Sequence, residues 1–156
     1  MSNHTAIVRW AASPGEDYAR GQYSRAHEWH FDGGEVVRAS ASPTIVPAPW
    51  SDAAAVDPEE AFVASLASCH MLFFLDLARR AGAVVSAYED SAEAVMGKGA
   101  DGRMRITKVT LRPRVEFSGE VPDLEALHHQ AHEACFIANS VTCVVVVELP
   151  KPAHPE

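Results

Sequence analysis

The chain has 156 residues, of which 47% are hydrophobic and 22% are charged, and its formal net charge is −8. This length and composition predict a single globular domain spanning residues 1–156, large enough for a core of its own. The acidic balance argues against nucleic acid or an anionic membrane as a partner. The first residues contain no positively charged segment followed by an apolar run, so we expect a cytoplasmic protein.

The N-terminal third is predicted to form a small antiparallel sheet followed by a loop. Ala6–Trp10 is a short apolar run typical of a strand. Ser24–Phe31 and Glu35–Ala39 flank the sequence Asp-Gly-Gly, which predicts a strand, a tight turn and a second strand. The segment 41–56 contains three prolines and is too long for a simple connection, so we expect a loop that lines a site.

A central helix is predicted between Asp57 and Gly82. Asp57 suits the N-cap, Glu60 completes a capping box, and Gly82 suits the end of the helix. Between these ends, Ala61–Leu75 is apolar or small on every side, which is typical of a helix buried all round. This run is too short to span a bilayer, so no membrane segment is expected. Cys69 lies in the middle of the run.

The second half of the chain is predicted to contain more sheet and a second helix. Ala94–Met96 and Arg103–Ile106 flank a glycine-rich turn, and the second arm continues in strict alternation to Phe117. A helix is expected from Leu124 to about Ala138, and a final strand over Val144–Leu149. The order of elements predicts an α+β fold with antiparallel sheets packed on two central helices.

Two of the three cysteines are candidates for redox chemistry. Cys69 and Cys135 each lie on a predicted core helix, so the two thiols could meet, whereas Cys143 in an apolar strand is typical of a small buried side chain. Such a pair suits reduction of a peroxide: one thiolate becomes a sulfenic acid and the other thiol condenses with it. Because burial raises a thiol pKa, the attacking cysteine needs a nearby cation, and the main candidates are Arg25 and Arg20.

Cys69 ends the segment Asp57-Pro-Glu-Glu-Ala-Phe-Val-Ala-Ser-Leu-Ala-Ser-Cys69. This segment resembles the Asn-Pro-Glu-Glu/Gln…Ala-Cys motif of the OsmC/Ohr family, the osmotically inducible and organic-hydroperoxide-resistance proteins. The segment Ala131-His-Glu-Ala-Cys-Phe-Ile-Ala-Asn139 is similar to its Ala-His-x-x-Cys-Pro-x-Ser-Asn motif. Phe136 stands in place of the usual proline, and the Thr-x-Gly-Gly-Arg motif of the hydroperoxide-resistance branch is absent. The chain is therefore identified as a member of an OsmC-like side branch.

The resemblance implies an intertwined homodimer that reduces organic hydroperoxides without a cofactor. It makes Cys69 the attacking thiol and Cys135 the resolving thiol. It implies that Glu59 orients the catalytic arginine, for which Arg25 is the best match. The reductant implied by the family is a dithiol such as a lipoyl group on a carrier protein.

The spacing of Glu59 and Cys69 bears on how such a site is built. The two residues are ten positions apart, which is about 15 Å along a helix at ~1.5 Å per residue. Glu59 is therefore expected to serve the thiol of the partner subunit, giving composite active sites at a dimer interface.

The alternative is a non-peroxidase that binds a metal, or an apolar ligand at the dimer interface. His128, His132 and Cys135 fall on one helix face, where they could ligate a transition metal; His129 lies beside them, and His70 could supply a fourth ligand. A simpler interpretation places these histidines on a polar outer stripe of the second helix.

Overall fold

The structure is a computed structural model and describes residues 1–150. Contacts divide the chain into two compact units, Met1–Ala61 and a second unit that begins at Phe62. Each unit is described separately. That the chain forms one domain stays a prediction.

The first unit contains a three-stranded antiparallel sheet in the order β1-β2-β3. The strands are β1, Ala6–Arg9; β2, His27–Phe31; and β3, Val36–Ala39. Gly34 closes the turn between β2 and β3 with φ at +92°, a conformation that glycine adopts without strain. The predicted strand and hairpin are therefore confirmed, and segment 41–56 contains no strand or helix.

The central helix α1 spans Pro58–Arg80, as predicted. Its capping box is formed: Glu60 N–H donates to Asp57 Oδ1 at 2.7 Å, and Asp57 N–H donates to Glu60 Oε2 at 3.0 Å. Gly82 ends the helix with φ at +82°. These contacts satisfy backbone groups at the helix start, and they depend only on residues close in sequence.

The expectation that α1 is buried all round is wrong for the single chain. Its buried residues form one stripe at four-residue spacing, namely Leu66, His70, Phe74 and Ala78. On another side, Leu72 is 60% exposed. By length and composition alone α1 could cross a membrane, a test that core helices of soluble proteins also pass.

The second unit contains two sheets. A two-stranded antiparallel sheet joins β4, Val85–Asp90, to β7, Pro113–Phe117. A three-stranded sheet has the order β5-β6-β8, formed by Glu93–Lys98, Met104–Leu111 and Val144–Val147. β5 and β6 form the predicted hairpin, whereas β6 and β8 run parallel.

The strand predicted to continue to Phe117 is interrupted at Arg112. The Arg112 N–H donates to Asp90 Oδ1 at 2.7 Å instead of joining a strand ladder. Pro113 then has no N–H to donate. β6 and β7 consequently belong to different sheets, and β7 pairs with β4, a strand absent from the sequence-based prediction.

The second helix α2 spans Leu124–Ala134 and ends before the predicted Ala138. Asp123 caps its start by accepting a backbone N–H at 3.0 Å. Cys135 has an extended backbone with ψ at 114°, and the Asn139 side chain donates to a carbonyl of the last turn at 2.8 Å. The chain therefore turns at Cys135, which stands at the end of α2.

Two groups of buried side chains form the core of the second unit. The first, which we call the thiol cluster, comprises Leu66, Val109, Leu111 and Cys135. The second, the distal cluster, comprises Phe74, Ala78, Leu127 and Ala131. Both clusters join α1 to the α2 region, β6 contributes to the thiol cluster, and β4 and β7 cover the distal one. The α+β fold predicted from the sequence is confirmed.

Candidate active site

Two thiols meet where α1 packs against the end of α2. Cys69 lies midway along α1 and packs, partly buried, against the thiol cluster. Cys135 is fully buried within that cluster. The two side chains are close enough for Cys69 to raise the pKa of the Cys135 thiol. Both side chains are free thiols, so packing of the helices produces a reduced dithiol.

The surroundings of Cys135 keep it protonated beside Cys69. Burial, reinforced by the neighbouring Cys69, raises the pKa of the Cys135 thiol to about 11. The Ala138 N–H, 3.4 Å from the Cys135 sulfur, lowers this pKa, but by less than burial raises it. Because the thiolate is the nucleophile, a Cys135 thiol that stays neutral at pH 7 is poorly suited to attack.

Arg25 belongs to the first unit and lines an aromatic cavity there. Its guanidinium lies 3.6 Å from the centre of the Tyr23 ring, and its Nη1 donates to the carbonyls of Gly21 and Tyr23. The cavity measures about 400 Å³, and its other lining residues include Val8, Trp10, Tyr18 and His27. Within residues 1–150, Arg25 forms no ion pair with a carboxylate. Its guanidinium is held in place, and its charge helps to lower the pKa of Glu16 without an ion pair forming between the two.

The other two charged candidates of the first unit lie in different settings. Glu59 is partly buried in the first turn of α1, and among the described residues it forms no ion pair with Arg25 or another cation. Arg20 pairs with Asp17 at 3.5 Å, and 79% of its side chain is exposed. The structure thus brings the two thiols together, whereas pairing of Glu59 with Arg25, and of Arg25 with Cys69, stays a prediction.

A second pair of ionisable side chains, which we call the histidine pair, also joins α1 to α2. His70 Nε2 and His128 Nδ1 are 2.9 Å apart, and the two ring planes are parallel to within 3°. The residues are 1% and 2% exposed. Burial lowers the pKa of both to about 4, so both imidazoles are neutral at pH 7. The expectation that His128 lies on an outer polar stripe is wrong.

The metal site considered from the sequence is not formed within residues 1–150. His128 is hydrogen-bonded to His70, and Cys135 lies against Cys69. In that part of the chain no three His, Cys, Asp or Glu side chains stand where they could hold an ion. A shared helix face therefore does not produce a metal site here, because His70 and Cys69 on α1 already contact His128 and Cys135.

Comparison with known proteins places the chain in a family. A family model described as OsmC-like protein matches residues 51–149, a span that includes both thiols. The chain belongs to the OsmC-like family. Curated protein sequences gave no match.

Solved structures support the same placement. An OsmC-like protein of unknown function from Vibrio cholerae O1 biovar eltor str. N16961 is 52% identical, with a TM-score of 0.93 over 96% of this chain and 100% of that chain. Two organic hydroperoxide resistance proteins share the fold. That from Elizabethkingia anophelis is 16% identical over 95% of both chains, with a TM-score of 0.66. That from Legionella pneumophila is 20% identical over 96% of this chain and 97% of its own, with a TM-score of 0.64.

Two features of this OsmC-like chain are missing from the sequence-based description of the site. One is the aromatic cavity that Arg25 lines, and the other is the histidine pair. A signal for the second was present: His70 lies four residues from both Leu66 and Phe74, and that spacing places all three on one helix face. Nothing in the sequence of α2 marks His128 as the partner, because that depends on how the helices cross.

Proposed function

We propose that this OsmC-like protein is a thiol peroxidase that reduces organic hydroperoxides. The observation that carries the proposal is the contact between Cys69 and a buried Cys135 whose thiol pKa is raised to about 11. One cysteine is thus available for attack while the other is held as a neutral thiol beside it. The names of two structural neighbours, organic hydroperoxide resistance proteins, support the same substrate class.

The proposed reaction has two steps. The Cys69 thiolate attacks the terminal oxygen of the hydroperoxide, the O–O bond breaks, and the organic part leaves as an alcohol after taking up a proton. Cys69 is then a sulfenic acid. The Cys135 sulfur attacks the Cys69 sulfur, the Cys135 proton and the sulfenic hydroxyl leave as water, and a disulfide forms. A dithiol reductant restores both thiols by exchange, and becomes a disulfide itself.

The charged residues are assigned by resemblance and supported by chemistry. Arg25 stabilises the Cys69 thiolate, because a nearby cation favours the charged form of a thiol. Glu59 orients Arg25 from the partner subunit of a homodimer, since about 15 Å of helix separates it from the thiol of its own chain. The proposal includes no cofactor, and it retains the expectation of a cytoplasmic protein whose reductant is a dithiol such as a lipoyl group on a carrier protein.

Counting free thiols tests the proposal. The reduced chain has three, Cys69, Cys135 and Cys143. One equivalent of cumene hydroperoxide is expected to remove two of them, because attack and resolution consume one thiol each. Cys69→Ser should lose none, Cys135→Ser should lose one and accumulate a sulfenic acid, and Cys143→Ser should lose two like the unmodified protein.

Two outcomes would contradict the proposal. One is an unchanged thiol count in the unmodified protein. The other is equal thiol loss in Cys69→Ser, which would show that the oxidant reacts with cysteines without regard to their position.

A further inference from the structure

The hydrogen bond between His70 and His128 is a second connection between the two helices that carry the thiols. We propose that these histidines are positioning residues for disulfide formation, because their hydrogen bond holds Cys135 in place against Cys69. The inference deepens the proposed function and rests on its thiol chemistry. The step concerned is the condensation of the Cys69 sulfenic acid with the Cys135 thiol, in which water leaves and the S–S bond forms.

The placement of the two contacts gives the histidine pair this role. Cys69 and His70 are adjacent on α1, whereas His128 lies on α2 and Cys135, seven residues later, directly follows the last residue of that helix. The separation along α2 is about 10 Å at ~1.5 Å per residue. Two attachments this far apart fix the angle of α2 against α1, whereas one attachment leaves the helix free to pivot about it. Because disulfide geometry is strict, with Cβ atoms about 3.8 Å apart, a fixed helix angle favours bond formation.

The surroundings of the histidine pair make its geometry definite. The Phe74 ring stacks on His128 with the centroids 4.1 Å apart and the planes at 20°. The Tyr88 ring covers another side, with its centroid 6.5 Å from that of His128. One imidazole donates a hydrogen bond to the other, and such a bond has a preferred length and direction. Contacts between apolar side chains are not directional and would not impose this constraint.

The histidine pair is an inefficient way to gain stability, which also points to a geometric role. The outer nitrogens, His70 Nδ1 and His128 Nε2, are buried and lack a hydrogen-bonding partner among the described residues. Leaving such groups unsatisfied costs free energy, and an apolar pair of similar shape would avoid that cost. What the hydrogen bond contributes, despite this cost, is a specific arrangement of α1 and α2.

A glutathione equilibrium tests the inference without a hydroperoxide. In a Cys143→Ser background, the ratio of reduced to oxidised glutathione at which the Cys69–Cys135 disulfide is half formed gives the effective concentration of the two thiols. We expect His70→Leu to lower this concentration about tenfold, since a hydrogen bond is lost and the thiols are misaligned. His70→Gln, whose amide can replace Nε2, should stay within about threefold of the parent protein.

A matched control separates positioning from loss of stability. Val115→Ala removes packing against the distal cluster, so it should lower the melting temperature and leave the effective concentration unchanged. If His70→Leu does not fold, the same comparison is made from α2 with His128→Leu and His128→Asn, because the asparagine amide can replace Nδ1.

Equal effective concentrations in His70→Leu and the parent would overturn the inference, as would equal losses in the leucine and glutamine variants. A parent protein that forms the disulfide in glutathione but ignores hydroperoxides would reject the proposed function. In that case the leucine–glutamine difference would still support the histidine pair as the positioning element.

Discussion

Arg25 and Arg20 are five residues apart in sequence but differ in how each side chain is held. Two backbone carbonyls and the face of Tyr23 hold the Arg25 guanidinium. Arg20 is exposed and already paired with Asp17, and such surface ion pairs contribute little to stability. A guanidinium with a fixed orientation and no ion pair among the described residues is suited to stabilise an anion, so Arg25 is the better candidate to support a thiolate.

Replacing these arginines one at a time distinguishes them. We expect Arg25→Met to slow thiol loss to cumene hydroperoxide at neutral pH at least about tenfold, because the attacking thiolate loses a nearby cation that favours its charged form. Arg20→Met should react like the parent. The measurement is the rate of thiol loss against pH, in which the Arg25→Met curve should move to higher pH.

The assignment of Arg25 would be wrong if Arg25→Met kept the rate and pH curve of the parent protein. It would also be wrong if Arg20→Met showed the larger change.

At the scale of elements, the packing of α1 against α2 makes stability depend on pH. The pKa of about 4 for His70 and His128 in the folded chain lies below the ordinary value of 6.5. Between these values the unfolded chain binds protons that the folded one does not. Stability is therefore lost as pH falls from 6.5 towards 4, and this contribution levels off below about 4.

Other ionisable groups near the histidine pair must be considered with it. His132 on α2 lowers the pKa of His70, as burial does, because its positive charge disfavours a second one nearby. On β4, Tyr88 stays neutral, since burial and then Asp90 raise its pKa. A cavity of about 550 Å³ opens beside His128, and its ionisable lining residues are Asp123, Glu125, His129 and His132.

We expect His70→Gln to remove about half of the pH dependence that the histidine pair contributes, because one of two titrating groups is lost. Urea unfolding at several pH values between 4 and 7 measures this. His129→Gln, which removes an exposed histidine paired with Glu133, should unfold like the parent protein at every pH. A parent-like pH dependence in His70→Gln would contradict the prediction.

At the scale of the whole molecule, the single chain leaves apolar helix surface uncovered. Only one stripe of α1 is buried, and Leu72 on another side is 60% exposed. Glu59 and Arg25 are both without an ion pair among the described residues. A homodimer would provide an apolar surface for α1 and bring Glu59 of one subunit to the arginine of the other, as we propose.

A dimer-dependent site predicts that activity is lost on dilution. We expect Leu72→Glu to weaken association and to lower the rate of thiol loss per chain in parallel, because burying an unpaired charge in an apolar interface is costly. Sedimentation measures the oligomeric state over the concentrations used for the rate measurements. Glu35→Gln, a change in the turn of the N-terminal hairpin, is the control. A monomer that keeps the full rate of thiol loss would contradict the proposal of a composite site.

Features that depend on neighbouring residues could be predicted from the sequence. The Asp57–Glu60 capping box, the Asp123 cap and the β2–β3 turn each lie within a few residues of chain. The interruption at Arg112 could not, since Asp90, which takes its N–H, lies 22 residues earlier. The alternating pattern continues through the break and so conceals it.

The sequence by itself determined the bounds of α1, the α+β class and the two motifs that carry Cys69 and Cys135. Only the tertiary structure decided that α2 stops at Ala134, that β6 and β8 run parallel, and that His128 faces His70. Local hydrogen bonds and side-chain periodicity are determined by nearby residues. The crossing of two helices depends instead on the fit of side chains that are distant in sequence, and in this OsmC-like chain that crossing brings the thiols together.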